Sequence, residues 1–471
     1  MTPIQMVVSL LAVLMLGPAC ATSRMSGDVR AVESSLAERA RLPELTLPAF
    51  DAPDELPAEV DRLVEKPLTD DSAVRVALLS NRDARAALAD IGIARGDYLQ
   101  AGLIPNPELD LAVRAPGGPQ PVQLDIGLEL SISETVLAPL RASVAEAQLE
   151  AARLRATGFL LELAWQTRLA FFEAQAAQQR LDLRLRAFAS QQASYATAVE
   201  LHRVGNLPAI DLANELAAVE LSRLQVAESE NALLDAREAL TRKLGLAGAR
   251  TGFSIAGTLP TPKDTPVPTD AEAKAITASL ELLEFNRRAE AASRKVGLAT
   301  TEGWLPHLTA GFHGERDADL WELGAHVGVG LPIFDRAQGR QLSAQSEYDA
   351  LRARAESTAI GIRSVTRSTL NRVESAGRRA RHFAERLVPA RQKQLDETVL
   401  QYNAMTVGVF QVLQVQRGVT ESALAQVDAT LDYWKARAGL DLLLAGRSTP
   451  LSAGMALPSS TLSTPSAQGG H

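Results

Sequence analysis

His307, His313 and His326 fall on polar positions of two stretches in which polar and apolar residues alternate, and Asp125 and Glu129 hold the same place in an earlier stretch. Imidazole is a common metal ligand, so the first chemistry to consider is cation binding on the polar side of a strand. Against a resident metal, no His-x3-His pair and no methionine cluster accompanies them, and the chain has a single cysteine, Cys20. The sequence also lacks a Gly-rich phosphate loop and a Gly-x-Ser-x-Gly nucleophile turn. Neither an enzyme, a cofactor nor a metal site is therefore expected.

Cys20 offers a different chemistry, acylation. It follows a short apolar run, Val7 to Leu16, and the segment Gly17-Pro18-Ala19-Cys20-Ala21, the pattern of an export signal. Its position resembles the lipid-attachment cysteine of bacterial lipoproteins, which implies anchoring in lipid; Ala21 rather than Asp after it then implies the outer membrane. Gly17 stands where that pattern prefers Leu, and Ala19-Cys20-Ala21 equally fits ordinary cleavage after Ala21. Export follows under either reading.

The polar positions need strands to hold them. Val122, Leu124, Ile126, Leu128, Leu130 and Ile132 alternate with Gln123, Asp125, Gly127, Glu129 and Ser131; Leu323, Ala325, Val327, Val329 and Leu331 alternate with Glu322, Gly324, His326, Gly328 and Gly330. Partner strands run around Leu109, Leu111 and Val113 and around Leu308, Ala310 and Phe312, with turns at Ala115–Pro119 and Gly314–Asp319. Strands of about ten residues, apolar on one face and polar on the other, are what a membrane β-barrel requires, because every backbone group must pair where water is absent. Trp304 and Trp321 sit at opposite strand ends, as interfacial aromatics do. Either hairpin alone would equally fit an amphipathic hairpin on a soluble helical body.

The hairpins belong to a duplication. Gly102-Leu-Ile-Pro105 is echoed by Gly303-Trp-Leu-Pro306 and Gly127–Ile132 by Gly328–Ile333, at an offset of 201 residues. Leu212, Val219, Val226, Leu233 and Leu240 recur at sevens, and an offset of 200 lands on Val412, Val419, Gln426, Tyr433 and Leu440. That period is far longer than a solenoid repeat of about 20 to 50 residues. The chain divides into a signal peptide at 1–19, a lipidated extended arm at 20–70, a first repeat at 71–246 (β-hairpin about 106–132, helical turn about 203–209), a Pro-rich linker at 247–269, a second repeat at 270–446 (β-hairpin about 306–333, helical turn about 404–409) and a disordered tail at 447–471. The helices after each hairpin are on the order of 100 Å long at about 1.5 Å per residue.

With 46% apolar but only 4% aromatic residues among 471, and a net charge of −8 spread along the chain, no basic stripe marks a nucleic-acid partner. No segment of the mature chain has the roughly 18 uninterrupted apolar residues of a membrane-spanning helix. Membrane crossing, if any, is by strands. Four strands cannot close a barrel, for which about eight is the practical minimum, so the chain must oligomerise, and a homotrimer with twelve strands is the smallest comfortable solution.

Several strings complete the pattern: Val204–Asp211 and Tyr402–Phe410 at the helical turns, Pro105-Asn-Pro-Glu-Leu109, Leu331-Pro-Ile-Phe-Asp-Arg336, and the closing Leu244-Gly245 and Ala445-Gly446. Together, in order and duplicated over residues 70 to 446, they resemble the TolC family of outer-membrane efflux ducts. The resemblance implies a mainly α chain with a small membrane β part, assembled as a trimeric α-barrel plus a twelve-stranded β-barrel. It implies an exit duct for a tripartite pump, with a periplasmic adaptor protein and an inner-membrane transporter as partners. Adaptor contact then falls on Val204, Gly205, Leu207 and Pro208 and on Val407, Gly408 and Val409. Asp211, Glu215, Gln411 and Gln414 become candidates for a periplasmic gate, each equally readable as a solvated helix position. Asn106–Leu109 and Phe334–Gly339 resemble the branch exporting heavy-metal cations, and Asp125, Glu129, His307, His313 and His326 then line the lumen, with metal selectivity left to the pump. Protein secretion by the same fold, or a lipid-anchored structural or adhesive coiled coil, are the alternatives.

Overall fold

A computed structural model of the chain describes residues 25–42, 45–47, 58–115, 122–262, 268–317 and 320–448. The signal segment, Cys20 and residues 449–471 of the tail lie outside the described residues.

The arm is not extended throughout. Helix α1 spans Met25–Ala40 and α2 spans Ala58–Val64. Val29, Val32 and Leu36 recur at helical spacing and are buried, whereas every proline of the arm lies beyond Leu42; the proline content concealed a proline-free amphipathic stretch. Asp28 on α1 is fully buried and holds Arg95 at 2.5 Å, and Arg153 in a second, short ion pair. Burial pushes the Asp28 carboxyl up, but the hydrogen bonds and charges of Arg95 and Arg153 outweigh it and hold it below the usual carboxylate range.

The first copy of the repeat opens with a broken helix. Helices α3 (Asp70–Ser80) and α4 (Arg82–Ala101) are separated at Asn81, whose side chain accepts from the Asp83 and Ala84 amides and so caps α4. Strands β1 (Glu108–Arg114) and β2 (Gln123–Ser131) follow, then α5 (Ile132–Arg203), 72 residues long, and α6 (Ala209–Leu244). A short 3₁₀ turn at Gly248–Gly252 and a parallel bridge between Ile255 and Leu68 lead into the second copy. There α7 (Ala271–Ala278) and α8 (Leu280–Trp304) break at Ser279, which caps α8, before β3 (His307–Asp317), β4 (Leu320–Gly330), α9 (Gln338–His382), α10 (Val388–Asn403) and α11 (Val409–Leu444). Between α9 and α10 the ladder slips through a π turn at Phe383–Leu387. Pro389 supplies the reason: it has no N–H to donate and its ring crowds the carbonyl four residues back.

The strands form one antiparallel sheet in the order β1-β2-β3-β4, leaving β1 and β4 as open edges. At its base Ser133 on α5 accepts from the Leu308 amide and donates to the Pro306 carbonyl, joining the two repeats where the sheet meets the helices. The cores gather in a belt partway along the long helices: Leu36, Leu88, Ile91, Leu160, Leu280 and Leu442 in one cluster, Leu68, Phe171, Phe172, Leu240 and Leu244 in the next. Full burial of each such side chain contributes about 1.5–3 kcal/mol. Arg447 and Ser448, read from sequence as the start of the tail, are tied in: Arg447 pairs with Glu162 and Glu281, and Ser448 bonds Glu281. Among the described residues no helix is long and apolar enough to cross a membrane.

Candidate functional site

The sheet sorts its residues by face through the period of two. On one face lie Leu109, Leu111, Val113, Leu128, Phe312, Leu323, Val327 and Val329, all exposed, with Leu323 at 80% and Phe312 at 72%. Such a contiguous exposed apolar surface marks a lipid or partner surface. The opposite face carries Asp110, Ala112 and Arg114 on β1, Asp125, Gly127 and Glu129 on β2, His307, Thr309, His313 and Glu315 on β3, and His326 on β4. His326 Nε2 lies 3.2 Å from Glu129. Gly127 and Gly324 flank His313 in register on either side, leaving room for its imidazole.

The turn of the second hairpin is tighter than the sequence indicated. Pairing runs to Asp317 and Leu320, so Gly314, Glu315 and Arg316 are strand residues. Gly314 suggested a turn; instead it is a gap on the apolar face covered by the side chains of Leu323 and Trp321, the way sheets shield an interior glycine. Glu315 was missed for this reason, and it joins Asp125 and His313 on the polar face.

At the far end of the helices the two turns close α5 to α6 and α10 to α11. Val204, Gly205, Pro208 and Gly408 are exposed and Val407 and Val409 half-buried. Leu207 is different: only 6% exposed, it plugs the turn beneath a hydrogen bond between His202 Nδ1 and its own carbonyl, so it is no contact surface. Gln411 and Gln414 are exposed and Asp211 half-buried. Glu215 is buried and accepts from Gln191 Nε2 at 2.7 Å and Ser194 Oγ at 2.6 Å, with Arg417 of α11 3.6 Å away and itself donating to Gln191. It ties α5, α6 and α11 together rather than standing free in solvent. Its spacing from Leu212 and Val219 already put it on the heptad seam.

A sheet with one lipid-like face, set on duplicated helices of this length, has close structural counterparts. The chain superposes on a membrane protein from Pseudomonas aeruginosa with a TM-score of 0.68 at 20% identity, over 86% of this chain and 99% of that one. It matches the open-state MtrE outer membrane channel of Neisseria gonorrhoeae with a TM-score of 0.68 at 14% identity, over 87% and 99% of the two chains. The chain has the fold of these outer-membrane channels. In sequence it is 27% identical over 394 residues to the cobalt-zinc-cadmium resistance protein CzcC of Cupriavidus metallidurans, covering 80% of this chain and 90% of that protein. No family model matches it. β2 leads directly into α5 and the first helical turn follows the end of that 72-residue helix, so the polar face of the sheet and the helical turns stand at opposite ends of the long helices.

Proposed function

We propose that the chain is the outer-membrane exit duct of a tripartite efflux pump, passing small solutes, heavy-metal cations or drugs among them, from periplasm to exterior. The observation that carries this is the sheet: four strands, exposed apolar residues on one face, charged and imidazole side chains on the other, and two unpaired edges. Twelve strands from three copies close it, which abolishes the edges and turns the polar face to a lumen. Similarity to a cobalt-zinc-cadmium resistance protein supports divalent cations as the solute class. Outer-membrane lipid meets the apolar face. The exposed turn residues Val204, Gly205, Pro208 and Gly408, with Val407 and Val409 beside them, face the periplasm and are the surface for an adaptor, through which an inner-membrane transporter is reached. Glu215 acts at this end as a latch between α6 and α11, while Asp211, Gln411 and Gln414 line the opening.

Deletion of the gene followed by a susceptibility panel tests the reading. Sensitivity to cobalt, zinc or cadmium, or to drugs, restored by the wild-type chain, is expected; unchanged tolerance to every metal and drug would reject the efflux assignment.

A further inference from the structure

Across the β2–β3 ladder Asp125 pairs with Glu315, and His313 lies two residues from Glu315 on the same face. One ligand atom from each of Asp125, His313 and Glu315 lies within 4.8 Å of the others. Asp125 is only 5% exposed. One of its oxygens, Oδ2, accepts from Arg114 at 2.5 Å; the other, Oδ1, is buried without a hydrogen-bond partner. An unpaired buried carboxylate oxygen is costly, and a cation beside it removes that cost. Two of the three, Asp125 and His313, line a cavity of about 290 Å³ together with Asp110, Arg114 and His326.

We propose that Asp125, His313 and Glu315 form a binding station for a borderline divalent cation, one per chain, near the end of the sheet farthest from the helices. One imidazole and two carboxylates suit Zn²⁺ or Co²⁺; the absence of sulfur disfavours Cu(I), and the imidazole disfavours Mg²⁺ and Ca²⁺. Three protein donors leave a coordination position for water. Arg114 neutralises part of the charge of Asp125, which weakens the site. Weakness is functional on a conduction path, where a solute must leave as readily as it enters. That the station lies on a conduction path rests on the proposed duct function; the binding itself does not.

The test is a Co²⁺ titration of the untagged full-length protein purified in detergent, followed by the visible bands of bound Co²⁺, with Zn²⁺ as competitor. One Co²⁺ per chain, displaced by Zn²⁺, is expected. Asp125→Asn, His313→Ala and Glu315→Gln should each weaken binding about tenfold or more, and His382→Ala, an exposed histidine of α9, should not. Arg114→Gln should tighten binding severalfold, an effect that damage to the fold would not produce. Binding that is the same in wild type, His313→Ala and Arg114→Gln, or none in wild type at millimolar Co²⁺, would overturn the station. Because the titration reads binding on the isolated protein, such a result leaves the efflux reading to the deletion experiment.

Discussion

Each repeat ends two long helices, and all four ends use the same backbone device. In the first repeat the Gly205 and Asn206 amides donate to the His202 and Leu201 carbonyls, and the Gly245 and Leu246 amides to Arg242 and Thr241; in the second, Met405 and Thr406 donate to Tyr402 and Gln401, and Gly446 and Arg447 to Leu443 and Leu442. This is the Schellman arrangement, which requires a left-handed residue. Three of the four are glycine, and one is Met405 at φ 58°. Surroundings explain the difference. At Gly245 a Cβ would lie 2.7 Å from the Asn81 Cα, and at Gly446 it would overlap the Ala278 carbonyl; at Gly205 it would meet nothing within 4 Å. Where left-handed backbone is combined with backbone contact, both repeats keep glycine. Where the first copy's turn faces open space, the second copy carries Met405, which bears the conformational strain.

The strongest way to break this comparison is at the closed junctions. Gly446→Ala and Gly245→Ala combine the left-handed penalty with an overlap against backbone that cannot rotate away, on the order of 4 kcal/mol together. Thermal unfolding should show both variants far less stable than wild type. Similar melting of Gly446→Ala and Gly205→Ala would show that packing at the junction is not what retains glycine.

A smaller asymmetry lies in how the two halves are clamped. The first repeat is held to the arm by Asp28, fully buried against Arg95 and Arg153; the Arg447 clamp near the end of the second is about a quarter exposed. Asp28→Asn should cost about 3 kcal/mol by leaving two guanidinium groups under-paired, and Arg447→Gln about 1 kcal/mol or less. The Asp28 carboxyl is held below its unfolded value, so its stabilisation is complete above that value of about 4 and is lost as pH falls through the lower folded one. Melting curves of wild type and Asp28→Asn should therefore differ at pH 7 and draw together as pH falls below the usual carboxylate range. A gap that persists undiminished there would mean Asp28 acts through packing.

Much of this architecture was legible in the chain. Alternation along β2 and β4, and the 201-residue echo, reported strand faces and duplication directly, because burial on one face writes a period of two into sequence. What escaped depended on contacts distant in sequence. The helix at Met25–Ala40 was hidden by neighbouring prolines, Glu315 by a glycine that Trp321 covers, and the Asn81 and Ser279 breaks by residues that also suit solvated helix positions. The Asp125–His313–Glu315 grouping required the register of β2 against β3, which no spacing within one strand reveals.

The repeats differ again along the helices behind the turns. Glu215 in the first is matched, 200 residues on, by Val415 in the second. Glu215→Val makes the copies alike, removes the acceptor shared by Gln191 and Ser194, and separates Arg417 from its carboxylate. The expected loss is about 2 kcal/mol, local to the α5, α6 and α11 contact. If Glu215 latches the periplasmic end, single-channel conductance in planar bilayers should rise in the variant. Unchanged conductance with normal insertion would reduce Glu215 to a buried structural acid.

The finest test exchanges the two turn residues. Gly205→Ala places a Cβ in left-handed backbone and should cost about 1 kcal/mol. Met405→Gly relieves the same strain but gives the unfolded chain more freedom, so its gain should stay below about 1 kcal/mol. Global melting is a poor reporter, since helix ends open locally without unfolding the belt. Hydrogen exchange at the Asn206 and Thr406 amides, which donate across the two turns, reads the opening directly. Exchange at Asn206 should quicken about fivefold in Gly205→Ala, and exchange at Thr406 should slow in Met405→Gly by a smaller factor. Responses of the same sign at both turns would mean that Met405 is held by a contact rather than merely tolerated. Its side chain is 93% exposed, which leaves an assembly partner as the source of any such contact.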